Sequence, residues 1–158
     1  MGGFTIAPAH PSDPQAQELI ARHLAQMAAQ SPEGSCHALD WSGLDAPEVR
    51  FFLLYDGDQA IAMGALKTLN GAGVELKSMH TRAEARGAGA GRAMLEHLLA
   101  IARAEGAGAV YLETGSTEDF APARRLYERF GFKPTGPFEG YAHDPWSVFM
   151  TLELQPLS

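Results

Sequence analysis

Three glycines at alternate positions, Gly87, Gly89 and Gly91, stand between Arg86 and Arg92, with Ala88 and Ala90 filling the gaps. Residues this small let main-chain amides approach an anion closely, and glycine permits a tight turn. Met94, Leu95, Leu98, Leu99 and Ala102 then repeat at helical spacing, while Arg92, Glu96, His97 and Arg103 fall largely off that face. The pattern predicts a helix that begins near the last glycine and stops at Gly106. The first turn of a helix has amide N–H groups without partners, and the helix dipole adds partial positive charge there. Such a site suits a phosphate or pyrophosphate, and Arg86 and Arg92 add charged donors. No Gly-Lys-Ser/Thr closes the loop, so it is not a P-loop, and its glycines lack the spacing of the dinucleotide fingerprint.

The surrounding elements must hold that loop in place. Glu75 to Thr81 reads as a strand running into it. Upstream, Phe4–Ala7 is a short strand. Asp13 and Pro14 are a good cap and first residue for a helix to about Gln30, with Leu19, Ile20, His23, Leu24 and Met27 on its apolar stripe. His23 is expected to be a packed, hydrogen-bonded histidine. Residues 31–48 read as a long loop anchored by Trp41 and Leu44, with Trp41 either a pocket wall or a plug. Arg50–Tyr55, Gln59–Leu69 and Val74–Thr81 form an antiparallel meander through turns at Asp56-Gly57-Asp58 and Asn70–Gly73. Ala109–Thr114 follows the glycine-loop helix and is predicted to lie parallel to the Val74 strand. A helix over Phe120–Phe130, with Ala123, Leu126 and Phe130 on one side, and strands at Phe132–Pro134 and Ser147–Leu154 complete the order.

The 158 residues are the size of one domain, read as spanning 1–158. A formal charge of −7 argues against general nucleic-acid or anionic-membrane binding and weakly favours a cationic acceptor. Cys36 is the only cysteine, so no intrachain disulfide forms. The first residues lack a signal-peptide pattern, and no apolar run approaches the ~20 residues that span a bilayer. The cytoplasm is the expected compartment.

The form Arg-x-x-Gly-x-Gly, at Arg86, Gly89 and Gly91 between strand and helix, resembles the acyl-CoA loop of the GNAT family of N-acetyltransferases. The segment Ala123-Arg124-Arg125-Leu126-Tyr127-Glu128-Arg129-Phe130-Gly131-Phe132 is similar to a second family motif, A-x-x-L-Y-x-x-x-G-F, at the family's distance downstream. The order of elements agrees across essentially the whole chain. The Phe120–Arg124 opening and the tail from Pro137 to Met150 look most like a bacterial subgroup, the YsnE-like N-acetyltransferases. The resemblance implies an α/β (α+β) fold with a mixed, mostly antiparallel sheet of about six to seven strands flanked by helices. Two parallel strands would splay around an acyl-CoA site.

By the same resemblance, Met79, His80 and Thr81 would pair with pantetheine, and Arg86, Gly87, Ala88, Gly89, Ala90, Gly91 and Arg92 would cradle the pyrophosphate. Ala123 belongs to the cofactor-binding motif. Tyr127 would protonate the leaving thiolate. Many family members carry an asparagine seven residues before this tyrosine; here the residue is Phe120, so that contact does not carry over.

The implied reaction is transfer of an acetyl group from acetyl-CoA to a primary amine of a small molecule or peptide, by direct attack and without a metal. Candidates for the base are Glu75, which is favoured, Glu113 and His80, the last for its unperturbed pKa. Each has a plainer reading: a solvated carboxylate for the two glutamates, a surface residue for His80. Tyr141, His143, Asp144 and Trp146 either line an acceptor pocket or shape a loop or a dimer contact. The alternative function is an acyl-CoA sensor without turnover on the same fold; a nucleotide-binding protein unrelated to CoA is the weakest reading.

Overall fold

Seven strands form one sheet in the order β1-β2-β3-β4-β5-β7-β6. They are β1 (Thr5–Pro8), β2 (Val49–Asp56), β3 (Gln59–Thr68), β4 (Gly73–Thr81), β5 (Ala109–Gly115), β6 (Lys133–Thr135) and β7 (Ser147–Glu153). Among the described residues three helices flank them: α1 (Pro14–Gln30), α2 (Ala90–Ala104) and α3 (Ala121–Arg129). This computed structural model describes residues 3–30, 44–71, 73–138 and 141–154, with the side chains of 27–30 excluded. Cys36, Trp41 and the side chain of Met27 lie outside the described residues.

Local chemistry sets each boundary. The Asp13 carboxylate accepts the Gln15 amide at 2.8 Å and caps α1. Gly57 turns β2 into β3 with φ 64, and Gly106 ends α2 with φ 79, both left-handed conformations that glycine adopts without penalty. The predicted face of α2 is the buried one: Met94, Leu95, Leu98, Leu99 and Ala102 are all sealed in the core. On the shorter α3 the expected face of Ala123, Leu126 and Phe130 is only half-buried, and Tyr127 is the one fully buried side chain. A 3-10 turn at Glu118–Phe120 precedes this helix, so it opens at Ala121 rather than at Phe120.

Two apolar clusters cover the two faces of the sheet. One joins α2 and Tyr127 of α3 to Phe52, Leu54, Leu66, Leu76, Leu112 and Met150. The other joins Ala16, Leu19 and Ile20 of α1 to Phe51, Leu53, Met63 and Ala65. β3 runs between both, which is why Ala60–Leu66 is buried without interruption.

Three features of pairing place the site. β4 and β5 are parallel, as the crossover through α2 requires, but pair only from Gly73–Ala109 to Leu76–Leu112. β5 keeps its other partner, β7, as far as Gly115–Ser147. Beyond Leu76 and Leu112 the two parallel strands therefore diverge. Within β4, the register against β3 slips between Met63 and Ala65, and Ser78 takes φ 56 there. That bulge re-aims the last residues of β4 beside the split.

Candidate active site

A cavity of about 570 Å³ occupies the split between β4 and β5. Its walls come from both faces of the sheet. On the α2 and α3 side stand the glycine loop, Leu126 and Tyr127. On the α1 side stand His23, His80, Lys77 and Glu75, with Glu113 and Tyr141. Register explains the second group: His80 lies opposite Met63 and Lys77 opposite Ala65, two residues of the α1 cluster.

The glycine loop has the conformation its composition predicts. Gly87 and Gly89 have φ 88 and 89, and Gly89 is the N-cap of α2 with no side chain bonded to that end. The amides of the first turn are thus without a side-chain cap at the cavity mouth. Gly91 lies within that turn, where an added Cβ would stand 3.6 Å from Leu126. Arg86 donates from Nε to the Thr81 carbonyl at 3.2 Å and from Nη2 to Gln26 at 2.8 Å, which ties the loop to β4 and α1. Arg92 pairs with Glu96 one turn along. Met79, His80, Thr81, Arg86, Gly87, Gly89, Ala90, Gly91, Arg92 and Ala123 all line the cavity; Ala88 is exposed and outside its wall.

Tyr127 is held by the tight end of α3, where its carbonyl accepts the amides of Phe130 and Phe132, and by an edge-on contact with the Phe132 ring. Among the described residues no protein group bonds its hydroxyl. Burial raises its pKa to about 12, so the phenol keeps its proton at neutral pH. Arg124 fixes α3 to the end of β5, donating to the carbonyls of Gly115 at 2.6 Å and Thr117 at 2.9 Å. Phe120 packs over Gly115, and its ring lines the cavity.

The three candidate bases are in unlike settings. Glu75 is buried, not a solvated strand-end carboxylate. Its Oε2 accepts Lys77 Nζ at 2.9 Å and the Tyr141 hydroxyl at 2.7 Å. Glu113 accepts the Ser147 hydroxyl at 2.6 Å. His80 is buried rather than at the surface, with Nδ1 3.3 Å from Nδ1 of His23. Burial first, then His23, Arg86, Arg22 and Arg82, lower its pKa to about 3. A group so weakly basic is a poor proton acceptor at neutral pH, which removes the pKa argument for His80. His23 is the packed, hydrogen-bonded histidine expected, with its own pKa lowered to about 4 by burial.

Of the C-terminal aromatic and polar group, Tyr141 alone reaches the cavity. Asp144 caps its own turn by accepting the Trp146 amide at 2.8 Å, His143 is exposed, and Trp146 is 41% exposed. Sequence reasoning missed Lys77 and the buried Arg82, which pairs with Glu18 and donates to the Ala60 carbonyl at 2.8 Å. The alternation Glu75-Leu76-Lys77 already placed both charges on one face of a strand.

A mixed sheet whose parallel pair splits over a cavity, with an uncapped helix end at one mouth, defines the GNAT-type N-acyltransferase architecture. The chain belongs to the acetyltransferase (GNAT) family, whose match runs over residues 16–132. It is 42% identical to the uncharacterized N-acetyltransferase YsnE of Bacillus subtilis, covering 89% of this chain and 93% of that protein. It is 38% identical to the uncharacterized N-acetyltransferase YedL of Escherichia coli, with coverage of 96% and 95%. A third relative, named IAA acetyltransferase, from Azospirillum brasilense, is 36% identical over 95% of this chain and 97% of its own. Among solved structures, one from Klebsiella pneumoniae described as a proposed acyl-CoA N-acyltransferase superposes with a TM-score of 0.77 at 28% identity, covering 96% and 98% of the two chains. A GNAT acetyltransferase from Elizabethkingia anophelis with acetyl-CoA bound shares the fold, with a TM-score of 0.69 at 18% identity and coverage of 96% and 98%.

Proposed function

We propose that this acetyltransferase takes its acetyl group from acetyl-CoA and passes it directly to a primary amine. One observation carries the reading. A single cavity joins the uncapped, glycine-rich start of α2 to a buried, protonated phenol and a buried carboxylate across the split strands. The residues present suit the donor: left-handed glycines leave their amides open to a diphosphate, and Arg86 and Arg92 stand at the same mouth.

In this reading Glu75 accepts a proton from the entering ammonium, directly or through water. The freed nitrogen attacks the thioester carbon, and the carbon–sulfur bond breaks as the amide forms. The departing thiolate takes the Tyr127 proton, and the phenolate recovers it from solvent or from the nitrogen. Lys77 and Tyr141 hold the Glu75 carboxylate oriented until the acceptor arrives.

Two measurements test this together. Calorimetry should register binding of coenzyme A and acetyl-CoA, and free thiol should appear when acetyl-CoA is offered with a panel of amines. Absence of heat with either form of the coenzyme sinks the reading. Binding without thiol release on any amine supports the sensor alternative instead.

A further inference from the structure

We propose that the acceptor carries its own carboxylate beside the amine, as an α-amino acid does, with Glu75 taking the ammonium and Lys77 the carboxylate. This assignment rests on the acetyl-transfer reading and names its acceptor class.

The argument starts from an ion pair in an unusual place. Glu75 is buried and Lys77 partly buried, their side chains only 4% and 8% exposed, yet both form part of the cavity wall. Taking two charges out of water is costly unless their remaining donors and acceptors are satisfied. Here they are not. Both protein bonds to Glu75 go to Oε2, which leaves Oε1 without a partner among the described residues. A lysine ammonium has three donors. Lys77 uses one on Glu75 and one on the Tyr141 oxygen at 3.1 Å, which leaves the third. The open oxygen of Glu75 is not sealed from solvent, since among the described residues the fully buried polar atoms without partners are on Arg50, His97 and Thr117, and Lys77 lines the same cavity.

The site thus offers one open anionic acceptor and one open cationic donor, on charged groups 2.9 Å apart. An α-amino acid holds its ammonium and carboxylate at a comparable separation through its covalent skeleton. Docked head to tail against the pair, it satisfies both open positions at once. A plain monoamine satisfies only Glu75. A carboxamide brings no charge to Lys77. A site with a buried donor discriminates strongly against an analogue that leaves that donor unmet.

Position agrees. Glu75 and Lys77 lie on the α1 face of β4, across the sheet from Tyr127 and the glycine loop. An acceptor there approaches the split from the side opposite the coenzyme. Tyr141 is braced for its part: its ring packs against Phe138 and Phe149, which holds the hydroxyl on Glu75. Glu113 adds a second carboxylate to the wall on the β5 side and further favours a cationic amine.

The test uses L-α-amino acids, each paired with its carboxamide. In the thiol-release assay, at least one acid should exceed its carboxamide in kcat/KM by about tenfold or more. In a separate arm without turnover, the same acid should raise the melting temperature of the coenzyme A-loaded protein, and its carboxamide should not. Lys77→Gln should bring the acid-to-carboxamide ratio close to one. Lys77→Arg should retain most of the preference. The assignment is overturned if every acid and its carboxamide behave alike in both arms, or if Lys77→Gln leaves the ratio as it was. Failure of the transfer reading looks different: no coenzyme binding and no thiol release, with the acid-selective thermal shift present in the protein without coenzyme.

Discussion

Two kinds of buried titratable side chain meet at the split, and burial acts on them in opposite ways. The Tyr127 phenol is held protonated, with its pKa pushed to about 12, as a donor must be. Replacing it with phenylalanine removes one oxygen and leaves the ring against Phe132. We therefore expect Tyr127→Phe to lower kcat by about a hundredfold while the calorimetric affinity for coenzyme A changes little. An unchanged kcat would take Tyr127 out of the mechanism. The histidines work the other way. His80 and His23 are neutral in the folded chain, at about 3 and about 4, whereas both titrate near 6.5 when unfolded. Between those values the unfolded state binds more protons, so acid favours unfolding. The contribution of these histidines to stability is full above pH 6.5 and falls as the pH drops from 6.5 toward 4, by up to about 1.4 kcal/mol per pH unit for each histidine. A melting series should show that slope, and the double variant His23→Gln, His80→Gln should flatten it. A wild-type melting temperature that stays level from pH 7 to pH 4.5 would refute the assignment of both as buried neutral rings.

At the scale of elements, the split depends on how β5 is loaded. Gly115 ends that strand, and the Phe120 ring lies on it so closely that an added Cβ would overlap the ring atoms. Gly115→Ala should therefore cost about 1–3 kcal/mol through overpacking and displace Phe120 within the cavity wall. Thermal melting and coenzyme affinity should both fall, and Gly115→Ala combined with Phe120→Leu should recover part of the loss. Gly87 and Gly89 differ: nothing stands within 4 Å of either Cβ position, so alanine there meets only backbone strain from the positive φ. Those substitutions should weaken coenzyme binding more than they lower melting temperature. The same contrast explains what the sequence made legible. The α2 stripe, the Asp13 cap, the glycine loop and the meander are written in local spacing, and each is found where spacing puts it. The bulge at Ser78 is not legible, because it is a mismatch between two strands and neither strand records it alone. The insertion of β7 between β5 and β6 is likewise a non-local pairing. At the site, Tyr127 and the loop followed from motifs, but Glu75–Tyr141 and His23–His80 are bonds across 66 and 57 residues. No periodicity reports such a contact, so the sequence alone assigns Lys77 and Arg82 no part in the site. Phe120 was visible as a departure from the family, but its seat on Gly115 was not.

For the whole molecule, the consequence of the divided sheet is a cavity with chemistry on both faces. The glycine loop and Tyr127 belong to the side covered by α2 and α3; Glu75, Lys77 and His80 belong to the side covered by α1. If the acetyl donor is held on the first side and the amine on the second, they meet only where β4 and β5 part. Both must then be bound together before any bond changes. A covalent acetyl-enzyme would need a nucleophile at that meeting point. Among the described residues, three that the site brings there are a phenol protonated up to about pH 12, a carboxylate already bonded by Lys77 and Tyr141, and a histidine bonded to another histidine. None is an activated nucleophile of the kind that carries an acyl group. The rate law should accordingly be sequential. Double-reciprocal plots at several fixed amine concentrations should intersect, and acetyl-CoA alone should give no burst of free thiol. Parallel lines, or a stoichiometric burst before any amine is added, would mean that the acetyl group rests on the protein and that the two faces are used in turn.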